Sequence, residues 1–161
     1  MILLSHGTAF LFGLAYMEVR MSHHYSTTAI IRCSDDRYHK GRELFDVYQN
    51  ILEAEKVDAN DPYKIFTLGA GIDFQVNPES KTLKRMVKAL TKLGIKKVVL
   101  IEHTPGCGAY AVDFGDLSED EEHALHLKSI EATKAFFIEH LPQIELVCYL
   151  QSNNINYEKI I

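Results

Sequence analysis

The sequence predicts an α/β fold with a mostly parallel four-stranded central sheet flanked by helices, and three observations carry that prediction. From Thr27 onward, short β-branched runs alternate with longer segments of helical period, the pattern of successive βαβ units. Val98, Val99, Leu100 and Ile101 form an unbroken apolar run, as a strand covered on both faces requires. The 161 residues are 47% hydrophobic and 24% charged, enough apolar material for one well-packed domain and too much for a disordered chain.

The first strand is expected over Ala29 to Arg32. Leu44, Val47, Tyr48 and Ile51 then recur at helical spacing, so an amphipathic helix follows. Lys64 to Leu68 is the second strand. Asn77 before Pro78 reads as a helix start, because Asn caps free N–H groups and Pro lacks the donor that would go unpaired. Leu83, Met86, Val87, Leu90 and Leu93 give that helix its buried face, and Gly94 its stop. The run at Val98 to Ile101 is the third, central strand. Ser118 with Glu121 three residues on is a capping box, opening a helix that ends before Pro142 and buries Leu127, Ile130, Phe137 and Leu141. Ile144 to Leu150 is the fourth strand.

Residues 1–22 stand apart as an N-terminal arm or an over-extended start, leaving residues 23–161 as the domain. The segment is apolar but has no cationic lead and no small-residue cleavage site. The formal charge of −5, from 17 Lys plus Arg against 22 Asp plus Glu, offers no overall attraction to a nucleic acid. No apolar run reaches the ~20 residues that a membrane-spanning helix needs. Three cysteines at wide spacings match no disulfide framework and suit a reducing cytoplasm.

In open parallel sheets, ligands bind beyond the carboxyl ends of the strands where the strand order reverses. The chemistry-bearing residues fall there. Cys33-Ser34-Asp35-Asp36-Arg37 follows the first strand, and Glu102-His103-Thr104-Pro105-Gly106-Cys107-Gly108 follows the third. If those strands are neighbours, Cys33, His103 and Cys107 can meet as a Cys2His set, which suits zinc. Asp35 and Arg37, two residues apart, favour a bidentate carboxylate–guanidinium pair. That pair keeps Asp35 off the metal and free to accept a hydrogen bond from zinc-bound water.

Other candidates carry plainer readings. Cys148 lies on the apolar face of the fourth strand and reads as core. His123 and His126 read as solvated helix positions, and His23, His24 and His39 as solvated loop residues. Glu119 to Glu122 form an acidic run at a helix start, where the helix dipole favours negative charge. Gly69-Ala70-Gly71 lacks the spacing of a phosphate loop and reads as close backbone packing beside the site. A Cys-x5-Arg phosphatase loop would need arginine where His39 stands, and the Gly-x-Ser-x-Gly turn of a serine hydrolase is missing.

The two loops resemble those of the β-class carbonic anhydrases. That family carries Cys-x-Asp-x-Arg after its first core strand, matched here by Cys33, Asp35 and Arg37. It carries His-x-x-Cys-Gly after its third, matched by His103, Cys107 and Gly108 with three residues in place of two between histidine and cysteine. The chain also shows Leu68-Gly69-Ala70-Gly71 where the family has Arg-Asn-Ala-Gly, and Glu102 where it has Gly. The resemblance implies a β-carbonic-anhydrase-like α/β fold with Zn2+ on Cys33, His103 and Cys107, and with Asp35 and Arg37 as catalytic residues. It implies a lyase that hydrates CO2 reversibly to bicarbonate by attack of zinc-bound hydroxide. As partners it implies a small-molecule substrate, no nucleic acid, no membrane, and a homodimer or higher homo-oligomer. Two other readings share these residues: hydrolysis of a CO2-like substrate such as carbonyl sulfide or carbon disulfide, and a non-catalytic zinc-binding or regulatory protein.

Overall fold

The computed structural model describes residues 26–58, 62–67, 69–152 and 156–161; the expectations for residues 1–22, His23 and His24 fall outside them. Strands β1 (Thr28–Cys33), β2 (Tyr63–Thr67), β3 (Lys97–His103), β4 (Glu145–Gln151) and β5 (Tyr157–Lys159) form one sheet in the order β2-β1-β3-β4-β5. β1 pairs in parallel with β2 and β3, and β3 in parallel with β4. β5 joins antiparallel to β4. The four expected strands are all present, and β5 extends the sheet by one. Its three residues are all exposed, so no apolar periodicity marked it; its pairing with β4 defines it.

β3 is central because its sequence can be buried on both faces: Val98 to His103 are all buried, as are Ala29 to Cys33 of β1. The chain leaves β1 for β2 on one side of it and then crosses to β3 on the other. The strand order therefore reverses between β1 and β3, which opens a crevice at their carboxyl ends. Cys33 ends one strand and His103 the other.

Helices α1 (Phe45–Ala54), α2 (Ile72–Val76), α3 (Lys81–Lys92), α4 (Gly108–Phe114) and α5 (Glu119–His140) connect and cover the sheet. α1 buries Val47, Tyr48 and Ile51 as its spacing predicts. α3 starts later than Asn77-Pro78 suggests. Ser80 is its cap, accepting from Leu83 N at 3.2 Å, while Asn77 closes the short α2 by donating its N–H to Asp73 O. Gly94, at φ +68°, ends α3 in the left-handed conformation that glycine adopts without cost. The capping box of α5 is present in both directions between Ser118 and Glu121. No helix of the described residues is long and apolar enough to cross a membrane.

Candidate metal centre

The crevice between β1 and β3 gathers three donors. One atom from each of Cys33, His103 and Cys107 lies within 4.8 Å of the others, and all three residues are buried. Cys33 arrives as the last residue of β1 and His103 as the last of β3. Cys107 arrives as the N-cap residue of α4, where its carbonyl accepts from Tyr110 N and Ala111 N. Strand ends and a helix start thus fix all three backbones.

The loop after β2 closes the site from below. Gly69 N donates to Cys33 Sγ at 3.3 Å, and Gly71 N to Glu102 Oε1 at 2.9 Å. These contacts require close backbone approach, the packing role expected of Gly69-Ala70-Gly71. A Cβ on Gly71 would stand 2.5 Å from Glu102 Oε1.

Asp35 and Arg37 form the expected pair. Arg37 Nη2 donates to Asp35 Oδ2 at 2.8 Å, its Nε lies 3.1 Å from both carboxylate oxygens, and its backbone N–H donates to Oδ1 at 2.9 Å. Burial works to raise the Asp35 carboxyl, but these Arg37 hydrogen bonds outweigh it and hold the group below the usual carboxylate range. Arg37 also reaches the second loop, donating to Pro105 O and Gly106 O at 3.3 and 3.0 Å, with Nη2 3.2 Å from His103 Nδ1. The other ring nitrogen, Nε2, is buried, makes no hydrogen bond and stands 3.6 Å from Asp35 Oδ2.

A metal fits this arrangement on two counts. A buried imidazole nitrogen with no partner is costly unless something electrophilic completes it. The two thiols are also coupled: a hydrogen bond between them lowers the Cys33 thiol and raises that of Cys107, while burial raises both. A divalent cation replaces the proton of such a bond, and two thiolates with one imidazole are a zinc donor set. Cys148, by contrast, is fully buried in the core, and burial pushes its thiol up to about 12.

Beside the cluster lies a groove of about 470 Å³ lined by Thr67, Gly108, Ala109, Val112 and Asp113, among others.

No protein-family model and no curated protein matches the sequence. Solved structures do. One of two tetrameric β-carbonic anhydrases from Sordaria macrospora aligns over 92% of this chain and 91% of its own, at TM-score 0.59 and 12% identity. A carbonic anhydrase from Glaciozyma antarctica aligns over 96% of both chains at TM-score 0.52 and 17% identity. A β-carbonic anhydrase from Trichomonas vaginalis aligns over 93% of both at 0.52 and 16%. The fold is that of the β-carbonic anhydrases. On that fold, the Cys-His-Cys cluster can hold a metal ion at the topological switch point of the sheet.

Three residues of this β-carbonic anhydrase fold escaped the sequence reading. His126 is not solvated: its exposure is 0%, and Nδ1 donates to Glu102 Oε2 at 2.9 Å. Glu122 does more than place negative charge at a helix start: it is 7% exposed, and its carboxylate accepts from Gly106 N and Cys107 N, both at 2.8 Å. Glu102, fully buried, accepts from Gly71 N, Ser129 Oγ and His126. The available signal was periodicity. Glu122, His126, Ser129 and Thr133 share one face of α5 with Ile130 and Phe137, so an apolar stripe continues in polar residues, which a reading by residue type assigns to solvent. His123 is half-buried and His39 exposed.

Proposed function

We propose that this chain catalyses the reversible hydration of CO2 with zinc held by Cys33, His103 and Cys107, and with Asp35 and Arg37 as its catalytic pair. One observation carries the reading: three buried donors, of the residue types zinc takes, within 4.8 Å of one another at the switch point of a β-carbonic anhydrase fold. Zinc bound there supplies Lewis acidity that brings the pKa of water toward ~7. The protein supplies orientation. Arg37 holds both Asp35 oxygens, so the carboxylate cannot swing onto the metal and is placed to accept a proton-bearing hydrogen bond beside it. The same guanidinium anchors the carbonyls of Pro105 and Gly106, tying the catalytic carboxylate to the loop that delivers Cys107.

Zinc analysis and a CO2 hydration assay on the full chain test the proposal together. The expected result is one zinc per chain with rapid turnover, two sulfur neighbours at the zinc X-ray absorption edge, and one sulfur fewer in Cys107→Ser. Arg37→Ala is expected to lower turnover by about 10- to 100-fold, the usual cost of removing an outer partner of a metal site; full activity in that variant removes Arg37 from the catalytic pair. Zinc without CO2 turnover overturns the carbonic anhydrase reading, and a panel with carbonyl sulfide and carbon disulfide then separates a related hydrolase from a zinc-binding protein without catalysis. A metal-free protein overturns all three.

The assembly proposed with this function is a homodimer. The Sordaria proteins are tetrameric, and here Val112 on α4 is 85% exposed, an apolar side chain that a second copy would cover. A monomer by light scattering at micromolar concentration removes the dimer. The three free cysteines are in keeping with a reducing compartment such as the cytoplasm.

A further inference from the structure

Between His103 and Cys107 the chain runs through Thr104, Pro105 and Gly106. Each residue adds up to ~3.3–3.6 Å of reach, far more than the tolerance of a metal–sulfur bond, so something other than chain length must fix the second cysteine. Gly106 turns the loop at φ +85°. The turned segment is then held from two sides by groups of opposite polarity. Arg37 takes the carbonyls of Pro105 and Gly106. Glu122, from the first turn of α5, takes the N–H groups of Gly106 and Cys107, one on each carboxylate oxygen at 2.8 Å.

Behind Glu122 stands a second buried group. His126 lies one turn further along α5, fully buried, with Nε2 3.5 Å from Glu122 Oε1 and Nδ1 on Glu102 Oε2. Glu102 is anchored by Gly71 N and Ser129 Oγ, and it immediately precedes His103 in β3. The residue before one proposed ligand thus holds the imidazole that packs against the clamp on another. Burying two carboxylates is costly unless each is fully engaged, and this arrangement uses them to fix backbone N–H groups rather than to bind a metal.

We propose that Glu122, backed by His126 and Glu102, is the positioning residue that sets where Cys107 presents its sulfur. The inference rests on the zinc reading above, and it assigns a task to a carboxylate that touches neither metal nor substrate. At the turn itself the two clamps divide the backbone groups: the guanidinium takes the carbonyls of Pro105 and Gly106, and the carboxylate takes the N–H groups of Gly106 and Cys107.

Cobalt(II) substitution of the full chain tests it, with chelator competition for zinc as the second readout. Glu122→Gln keeps the side chain's size but turns an NH2 donor toward one of the two N–H groups. Glu122→Asp keeps the charge on a shorter arm, and Glu121→Gln alters the exposed neighbouring carboxylate as a control. The expected result is wild-type and Glu121→Gln proteins with the same thiolate-to-cobalt charge-transfer band and the same zinc affinity. Glu122→Gln is expected to have a weakened charge-transfer band and about 10- to 100-fold lower zinc affinity, with Glu122→Asp in between. A role confined to stability would lower the unfolding midpoints of Glu122→Gln with and without metal while leaving the cobalt spectrum unchanged, and that result overturns the inference. Should Glu122→Gln fail to fold, the spectrum and affinity of Glu122→Asp decide in its place, and wild-type values overturn the inference. A wild-type protein that shows no thiolate-to-cobalt band overturns the zinc reading itself, and the inference falls with it; a normal wild-type band beside an unchanged Glu122→Gln band overturns the inference alone.

Discussion

Glu102 shows how much a single position asks of its surroundings. A carboxylate with no solvent access inside a sheet must find its partners in the protein, and this one accepts from a backbone N–H, a hydroxyl and an imidazole. Gly71 makes that possible. Its φ of −90° is open to any residue, so the demand is purely for space: a Cβ there would stand 2.5 Å from Glu102 Oε1 and 2.7 Å from Ser129 Oγ. Gly71→Ala is therefore expected to cost about 1–3 kcal/mol, as overpacking does, and to weaken zinc binding by displacing Glu102. Urea denaturation with a parallel zinc titration checks both; an Ala variant with the wild-type urea midpoint would show that the carboxylate can shift without loss. Gly41, whose added Cβ would meet nothing within 4 Å, is a contrasting case, where only its φ of +81° opposes substitution.

At the scale of the element, α5 separates what a sequence states from what it leaves to packing. Its start was legible because a capping box is a local device: Ser118 and Glu121 satisfy each other's N–H groups over three residues, whatever the rest of the chain does. Ser118→Ala is accordingly expected to cost about 1 kcal/mol, read as a lowered thermal midpoint, with zinc affinity unchanged. The strands β1 to β4 were legible for a related reason, since unbroken apolar runs and alternation report burial directly. The metal-site candidates followed from residue type and position at strand ends. What stayed hidden depends on contacts distant in sequence. The five residues of α2 and seven of α4 are too few turns to show a 3.6-residue period. Asn77-Pro78 looked like a start because the same residues that open helices also close and separate them. By residue type His126 reads as solvated and Glu122 as a charge that suits the helix dipole, and nothing nearby in sequence names Glu102 or the loop N–H groups that they engage.

For the molecule as a whole, a second polar cluster ties the sheet together away from the candidate metal centre. Glu55, at the carboxyl end of α1 with its side chain 7% exposed, accepts from Tyr149 Oη of β4 at 2.5 Å and from Lys159 Nζ of β5 at 2.8 Å. It also pairs with Lys97, the first residue of β3. One carboxylate thus links a helix to three strands, including the short β5 that has no buried residue of its own. Burial alone would raise the Glu55 carboxyl, but the hydrogen bonds from Lys159, Lys97 and Tyr149 outweigh it and bring the group down to about 2. The sign follows from linkage. A carboxyl whose pKa is lower in the folded protein stabilises the fold above its unfolded value, about 4.3 for glutamate, and loses that contribution as pH falls toward the folded value. Glu55→Gln is expected to be about 1–3 kcal/mol less stable than wild type at pH 7, the scale of hydrogen bonds to a charged group. That gap should narrow steadily once the pH drops below about 4. Urea midpoints of both proteins at pH 7, 4 and 3 measure it, and a gap that stays constant across that range means that Glu55 does not stabilise the fold through its charge. Because the cluster shares no residue with Cys33, His103 or Cys107, zinc affinity at pH 7 should be the same in both proteins, which separates the stability of the sheet from the chemistry at its carboxyl edge.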